Sequence, residues 1–517
     1  MCQALFETQD TKKVQQYCPY EFPFGGSLKL KMKTDIELRM NDEIKKIRSV
    51  YFIGIGGIGM SAIARFFHSN GIEVSGYDRS ETGMIKELVA EGIEIHFDEN
   101  AETIPKNVDL VVYTPAVPED HKELVFYQQN GYKVVKRSDV LQMITESSFN
   151  ICVAGTHGKT TTATMIAHLL RDSGYGCSAF LGGISVNYGT NFWSQTAAGA
   201  SERSEKNVCV VEADEYDRSF LKLDPDIAVI SAMDPDHLDI YGTAQAMEEA
   251  FIDFSKKVKP GGLLISKFGL KRGKELKAPR HLTYSLQNES ADAYAENIRM
   301  NNGSYEFDVV VKDSKLEDVI LNMGGMHNVE NAVAAITVAS SLEIENDKIK
   351  AAVGSFKGVK RRFEYIIKNG RIVFIDDYAH HPEELRALIQ GTTTLFRQKK
   401  CTIIFQPHLY TRTRDLANGF AEVLDLADEV ILLPIYPARE LPIEGVSSEM
   451  ILAKMKSENQ PAGRQGKKVM TKEELLKWMK DNYVKDLNTE FGQVLITAGA
   501  GDIDMMVEPI KKILEKI

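Results

Sequence analysis

From Ser49 onward, short apolar runs alternate with amphipathic stretches: Val50 to Ile55, then Ile58 to Phe67, Ile72 to Tyr77 and Val108 to Tyr113. Short runs bounded by glycine and polar turns predict strands, and the longer periodic segments between them predict helices. Their alternation is the rhythm of a parallel sheet covered by helices. The rhythm restarts at Phe149 to Ala154, where a strand meets a second glycine-rich loop, and continues through strands at Val208 to Val211 and Ile227 to Ala232. It restarts once more near Arg371 to Ile375, with strands following at Thr402 to Phe405, Val430 to Leu433 and Gln493 to Thr497.

These starts predict an α/β protein with units at residues 47–147, 148–357 and 358–517. A chain of 517 residues is too long for one core, and a domain takes about 100–200 residues. Residues 1–46 hold scattered charge, Pro19, Pro23 and Gly25-Gly26 without a sustained period, so they are expected to be a poorly ordered tail. Met32 and Met40 are alternative starts within it. Lys456 to Lys468, with Pro461-Ala462-Gly463, is expected to be a polar loop. The chain has no internal repeat at a fixed period.

Composition narrows the function classes. The chain is 43% hydrophobic and 26% charged, an ordinary globular mixture. With 73 acidic against 62 basic residues and a net charge of -11, it lacks the basic footprint of a nucleic-acid binder. Its longest apolar runs, such as Leu110 to Tyr113, fall far short of the roughly 20 residues of a membrane span. No secretory signal opens the chain, so a cytoplasmic protein with no membrane partner is expected. The six cysteines form no C-x-x-C pair, which predicts buried thiols rather than disulfides or zinc ligands.

Two glycine loops carry the chemistry. Gly54-Ile55-Gly56-Gly57-Ile58-Gly59 follows a strand and opens a helix, so that backbone N–H groups and a helix N-terminus can hold a pyrophosphate. Asp78 ends the next strand at the spacing of a ribose-binding carboxylate. By itself this pattern fits a dinucleotide enzyme, or a tight turn that binds nothing. The second loop, Gly155-Thr156-His157-Gly158-Lys159-Thr160-Thr161-Thr162, is more specific. It is not a strict Walker A motif, because Val153 stands where the first glycine would be. Its mechanics are the same: loop amides wrap phosphate oxygens, Lys159 reaches the β- and γ-phosphates, and Thr160 ligates magnesium. Glu212 and Asp214, in E-A-D-E-Y-D at a strand end, suit a carboxylate delivered to that metal, and His237, in D-P-D-H-L-D, suits a further ligand.

The order G-T-H-G-K-T-T-T, E-A-D-E, D-H-L-D resembles the ATPase domain of the Mur ligase superfamily. The resemblance sharpens with Gly325-Met326-His327-Asn328 and Asn331, Gly358 to Phe363, Asp376 to Pro382, Gln406 to Asp415, and Gly499-Ala500-Gly501-Asp502. Together these look like the branch that joins L-alanine to UDP-N-acetylmuramate, over about residues 47–505. The resemblance implies an N-terminal Rossmann-like domain for the UDP-sugar, a central P-loop-type ATPase with a mostly parallel sheet, and a C-terminal Rossmann-like domain. It implies ATP and Mg2+, with Mn2+ as a substitute, and reassigns Gly54, Gly56, Gly57, Gly59 and Asp78 from NAD to the UDP-sugar. It places Gly155 to Thr161, Asn328, Asn331, Arg362 and Asp377 around ATP, and Thr160, Glu212 and His237 around metal. Lys159, His380, Arg412 and Arg414 are implied as catalytic, with His380 as the base for the incoming amine and the arginines near the amino acid. Tyr378 is implied beside them. Monomer and homodimer both remain open.

Three positions depart from the family pattern. Phe251 and Ile252 stand where some sister ligases carry a carbamylated lysine, so that modification is not expected. Leu409 replaces an arginine found beside the amino-acid pocket in several relatives, and Tyr216 replaces a smaller residue. Three other readings compete: a sister ligase that attaches a peptide to the same UDP-sugar in cell-wall recycling, an NAD-dependent dehydrogenase built on the first loop alone, and a non-enzymatic ATP-binding switch. The dehydrogenase leaves G-K-T-T-T unexplained. The switch has no use for Glu212, His237, His380 and Arg412 together.

Overall fold

The computed structural model describes residues 43–194, 207–235, 238–438, 440–455, 466–487 and 490–516. The first apolar runs form a five-stranded sheet of β1 (Ser49–Ile53), β2 (Glu73–Tyr77), β3 (Glu94–His96), β4 (Leu110–Tyr113) and β5 (Val134–Lys136), in the order β3-β2-β1-β4-β5. All its pairings are parallel. The chain winds outward from β1 in both directions, so a crevice opens beyond the carboxyl end of β1, where such sheets bind ligands. The loop Gly54 to Gly59 sits at that point.

The second sheet has ten strands: β6 (Phe149–Ala154), β7 (Ser178–Phe180), β8 (Phe192–Trp193), β9 (Val208–Glu212), β10 (Ile227–Ile230), β11 (Leu263–Lys267), β12 (Arg280–Ser285), β13 (Ala293–Asn301), β14 (Ser304–Val311) and β15 (Ser314–Leu321). β6 lies between β10 and β9, with Ala154 opposite Ile230 and Val153 opposite Glu212. The second glycine loop therefore emerges between the ends of two neighbours. Burial on both faces explains why β10 reads as an unbroken apolar run and β6 as one interrupted only by the buried Asn150.

Sequence reasoning placed no strand between Ala232 and Arg371, yet β11 to β15 lie there. The antiparallel β13, β14 and β15 shift register between Glu296 and Arg299 and between Phe307 and Val309. Those bulges interrupt the alternation by which a half-buried strand is recognised.

The third sheet contains β16 (Glu364–Lys368), β17 (Ile372–Asp377), β18 (Lys400–Phe405), β19 (Glu429–Leu432), β20 (Lys467–Val469) and β21 (Gln493–Ala498), ordered β16-β17-β21-β18-β19-β20. β21 pairs with both β17 and β18, setting Asp377, Ala498 and Phe405 side by side. Three separated motifs thus leave the sheet at one edge. The expected polar loop loses its end to β20, and residues 456–465 lie outside the described residues.

The expected tail ends earlier than residue 46. Ile44–Lys46 forms a short 3-10 turn in which Ile44 is 1% exposed, and Glu43 pairs with Lys133 at 3.4 Å. A protein starting at Met40 retains these contacts, so its turnover and melting temperature are expected to match those of the full chain. Loss of either, in a turnover assay with a thermal melt, would make the preceding residues part of the working fold.

Cys152, Cys177, Cys209 and Cys401 are buried free thiols as expected, while Cys2 and Cys18 lie outside the described residues. Among the described residues, no helix is long and apolar enough to cross a membrane.

Candidate active site

The first glycine loop is held from below. Gly54 and Ile55 donate to the Tyr77 carbonyl, and Gly56 N donates to Asp78 Oδ2 at 2.8 Å. Asp78 therefore shapes the loop itself. A Cβ on Gly56 would meet that carboxylate at 2.9 Å and Ile85 at 2.8 Å, which leaves room only for glycine. Gly57 caps the helix Ile58–Ser69, whose first amides have no intrahelical partner and form an anion-binding end. Gly59 lies against the Arg137 side chain, whose Nη1 would be 3.0 Å from an added Cβ.

The second loop is packed just as closely. Gly155 has φ +134°, and a Cβ there would sit 2.3 Å from Ser231 Oγ. Ser231, just past β10, donates to the Ala154 and His157 carbonyls and so ties the loop to the next strand. Thr156 accepts from Asp234 N. Gly158, with φ +81°, caps the helix Lys159–Asp172 and lies against Asn331 Oδ1. Asn331 donates to Asn328 at 3.2 Å, and Asn328 donates to the Gly324 carbonyl. Asn331 thus lines the loop from the helix Met326–Ser341, with Asn328 behind it. Thr161 is buried in the first turn beside Thr160, and His157 faces outward.

Lys159 Nζ donates to the Gly155 carbonyl and to Glu215 Oε1, each at 2.7 Å. An ammonium has three donors, so one remains for a phosphate oxygen. Glu215 is 1% exposed, and burial raises its pKa against the pull of Lys159. Sequence reasoning marked Glu212 and Asp214 and missed Glu215, although all three belong to E-A-D-E; Asp214 instead pairs with Arg137 at 3.2 Å. Thr160 Oγ1 donates to Glu212 Oε1 at 2.8 Å, and Gly182 N donates to Glu212 Oε2 at 2.8 Å. Two hard oxygens at that separation are close to the edge of an octahedron with magnesium–oxygen bonds of about 2.0–2.1 Å. The donor set fits Mg2+. His237 lies outside the described residues.

Where sister ligases carry a modified lysine, Phe251 and Ile252 are packed inside the helix Ala244–Lys256.

A third cluster forms where β17, β21 and β18 end. Asp377 accepts from the amides of Phe363 and Ala379, each at 2.7 Å, and burial pushes its pKa up to about 6. Part of its role is to hold the 377–380 turn against the 361–363 segment. Arg362, in that segment, is exposed. His380 Nδ1 lies 3.0 Å from the Tyr378 carbonyl, which assigns the proton to Nδ1 and leaves the Nε2 lone pair available. Burial, with a smaller contribution from Arg412, lowers the His380 pKa below its ordinary value, so the ring is neutral at pH 7. Arg412 Nη1 is 3.2 Å from His408 Nδ1, and the His408 ring lies 6.1 Å from that of His380. Arg414, in contrast, is exposed and paired with Asp415 at 2.8 Å. Leu409, at φ +71°, is the residue from which the helix Tyr410–Leu424 starts.

Known proteins share this layout. Residues 49–148 match the family described as Mur ligase family, catalytic domain; residues 153–339 match the Mur ligase middle domain; and residues 361–501 match the Mur ligase, glutamate ligase domain. The UDP-N-acetylmuramate–L-alanine ligase of Cytophaga hutchinsonii is 46% identical over 91% of this chain and 97% of its own length. The protein of the same name from Phocaeicola vulgatus is 47% identical over 92% of this chain and 100% of its own length. Among solved structures, UDP-N-acetylmuramate-alanine ligase from Thermotoga maritima aligns with a TM-score of 0.73 at 29% identity, covering 90% of this chain and 98% of that one. The chain belongs to the Mur ligase family.

Proposed function

We propose that this protein is an ATP-dependent ligase that joins L-alanine to the lactyl carboxylate of UDP-N-acetylmuramate, a step of peptidoglycan precursor synthesis. The observation that carries the reading is the Thr160–Glu212 contact of 2.8 Å beside Lys159, at the mouth of the central sheet. It is a phosphoryl-transfer centre, which a dehydrogenase does not need. The near-full-length identity to relatives named for L-alanine favours this branch over the peptide-adding one.

The reaction needs two displacements. A lactyl carboxylate oxygen attacks the γ-phosphorus of ATP, the bond to the ADP oxygen breaks, and an acyl phosphate forms. The alanine amine then attacks the acyl carbon, a tetrahedral intermediate collapses, and inorganic phosphate leaves. Phosphoryl transfer is largely positioning and charge neutralisation. Lys159 and the amides of Gly155 to Thr161 hold the phosphates, while Asn328, Asn331, Arg362 and Asp377 border the nucleotide. Thr160 and Glu212, with His237, would hold Mg2+ or Mn2+, which supplies charge neutralisation at the phosphate oxygens. Gly54 to Gly59 and Asp78 take the UDP-sugar. His380 Nε2 takes the proton released by the amine.

The deciding test is phosphate release with ATP, Mg2+ and UDP-N-acetylmuramate, with and without L-alanine. Alanine-dependent release, and an acyl hydroxamate when hydroxylamine replaces alanine, are expected. Reduction of NAD or NADP instead would remove the ligase reading.

The base assignment fixes the sign of the pH dependence. His380 accepts a proton only when neutral, and burial lowers its pKa from 6.5. The acid limb of kcat/KM for alanine is therefore expected below pH 6.5, with activity present above it and lost as pH falls. His380→Asn should lower the rate and remove that limb; an unchanged profile would exclude His380 as the base.

The two arginines should also separate. Arg412→Leu is expected to raise the KM for alanine by about 10- to 100-fold with little change for ATP, since a charge-assisted contact to the acceptor carboxylate is lost. Arg414→Leu, on the surface, should change neither. Discrimination of alanine from glycine rests on one methyl group and should lie within about 10–200-fold. Initial rates against alanine, serine and glycine check all three expectations.

A further inference from the structure

Arg137 was not among the residues that the sequence marked, and none of the roles above uses it. It opens the helix Arg137–Glu146 directly after β5, and β4 and β5 pair Tyr113 with Lys136. That register sets Arg137 level with Thr114 at the edge where the first glycine loop lies. One end of its guanidinium borders Gly59, and Nη2 reaches Asp214 of the central unit at 3.2 Å. Asp214 lies between Glu212 and Glu215, so the arginine spans from the first glycine loop to the phosphoryl-transfer segment.

A cavity of about 520 Å3 opens along this span, lined by Thr114 to Ala116 and Arg137 from the first unit and by Asp214, Tyr216 and Asp217 from the central unit. That volume lies within the roughly 300–1,000 Å3 of small-molecule sites. Among the described residues, Arg137 is the one basic side chain lining the cavity, against two aspartates. An anionic group entering there is repelled unless the arginine meets it. The cavity adjoins the first glycine loop at Thr114, which a Cβ on Gly54 would approach to 3.2 Å, and its far wall at Asp214 is two residues from Glu212.

We propose that Arg137 binds the lactyl carboxylate of the UDP-sugar by exchanging Asp214 for it, and so delivers the reacting oxygen toward the phosphoryl-transfer centre. The inference rests on the ligase reading. The Arg137–Asp214 pair is the arrangement before the exchange, and the planar guanidinium suits one carboxylate in place of another. The pyrophosphate is served by the loop amides and by the helix N-terminus instead.

The test compares binding of UDP-N-acetylmuramate and of UDP, which lacks the carboxylate, to the full-length wild-type protein, Arg137→Ala, Arg137→Lys and Asp214→Asn by calorimetry. Arg137→Ala is expected to weaken UDP-N-acetylmuramate by about 10- to 100-fold, the usual range for a lost charge-assisted contact, and to bind UDP as the wild type does. Arg137→Lys should recover part of the loss. Asp214→Asn removes the competitor, so its affinity for the UDP-sugar should be equal or tighter. If Arg137 only latches the two units together, Asp214→Asn will show the same loss as Arg137→Ala, and the proposal falls. It falls equally if UDP binding weakens in parallel, which makes Arg137 a pyrophosphate ligand, or if no variant changes affinity. Should Arg137→Ala fail to fold, the lysine and asparagine variants decide by the same criteria. Absence of alanine-dependent turnover in the wild type would strike the ligase reading itself, whereas wild-type turnover with unaltered variant binding strikes only this inference.

Discussion

Lys159→Ala and Glu212→Ala are each expected to lower kcat by about 100- to 1,000-fold or more, the scale of removing one preorganised charge or donor from a transition state, while UDP-N-acetylmuramate still binds. Lys159 and Glu212 belong to the loop after β6 and the end of β9, whereas the first glycine loop, proposed for the UDP-sugar, follows β1 in a different sheet. Lys159→Ala has a second consequence. Glu215 accepts from Lys159 at 2.7 Å and is 1% exposed, and its Oε2 has no partner among the described residues. Without the lysine a buried carboxylate is left uncompensated, which costs about 3–5 kcal/mol unless the group takes up a proton. Lys159→Ala should therefore melt lower than Glu212→Ala. Titration of the UDP-sugar into each folded variant, with a thermal melt, is the measurement. Loss of UDP-sugar binding along with turnover would refute the separation of the two sites.

Gly182→Ala is expected to be nearly as damaging to turnover, with the fold retained. An alanine Cβ at that position would stand 2.2 Å from Glu212 Oε2 and 2.7 Å from its Cδ. The carboxylate has to move, which breaks its 2.8 Å contacts with Gly182 N and Thr160 Oγ1. Gly182 is not among the residues with positive φ, so alanine imposes no backbone strain of its own. The expected signature is a kcat fall of about 100-fold with a higher Mg2+ requirement and a near-native melting temperature. Gly83→Ala is the control: a Cβ there meets nothing within 4 Å, and Gly83 opens the helix Gly83–Ala90. It should leave activity unchanged. Wild-type metal dependence in Gly182→Ala would mean that Glu212 is not held for a metal.

The contrast between Glu212 and Gly182 shows which information is local. Glu212 was recognisable because an acid at the end of an apolar run carries its own meaning. Gly182 and Gly183 form an unremarkable pair in the sequence, yet they pack against Glu212 and Thr160. Ser231 is similar, since a serine after an apolar run signals nothing until parallel pairing sets it under the glycine loop. The C-terminal cluster follows the same logic. His380, Asp377 and Arg412 stood out by motif, but Arg414 looked equivalent to Arg412, two residues away. On a helix such neighbours face different directions, and only the helix orientation sends one inward and the other to Asp415.

The sequence by itself determined the three-part α/β plan, because strands buried on both faces must be apolar and loops that approach phosphate must be glycine-rich. It also marked the loop lysine, the Thr160 and Glu212 oxygens that the fold brings together, and the family. Tertiary structure alone decided the bulged hairpin β13 to β15, whose polar interruptions hide its period, and the meeting of Lys159 with Glu215. It alone decided the placing of Arg137 between two sheets. Parallel pairing joins strand ends far apart in the chain, as Val153 does with Glu212, and sequence spacing carries no measure of that closeness. The chemistry of each residue is therefore written locally, whereas the partner that tunes it is chosen by register.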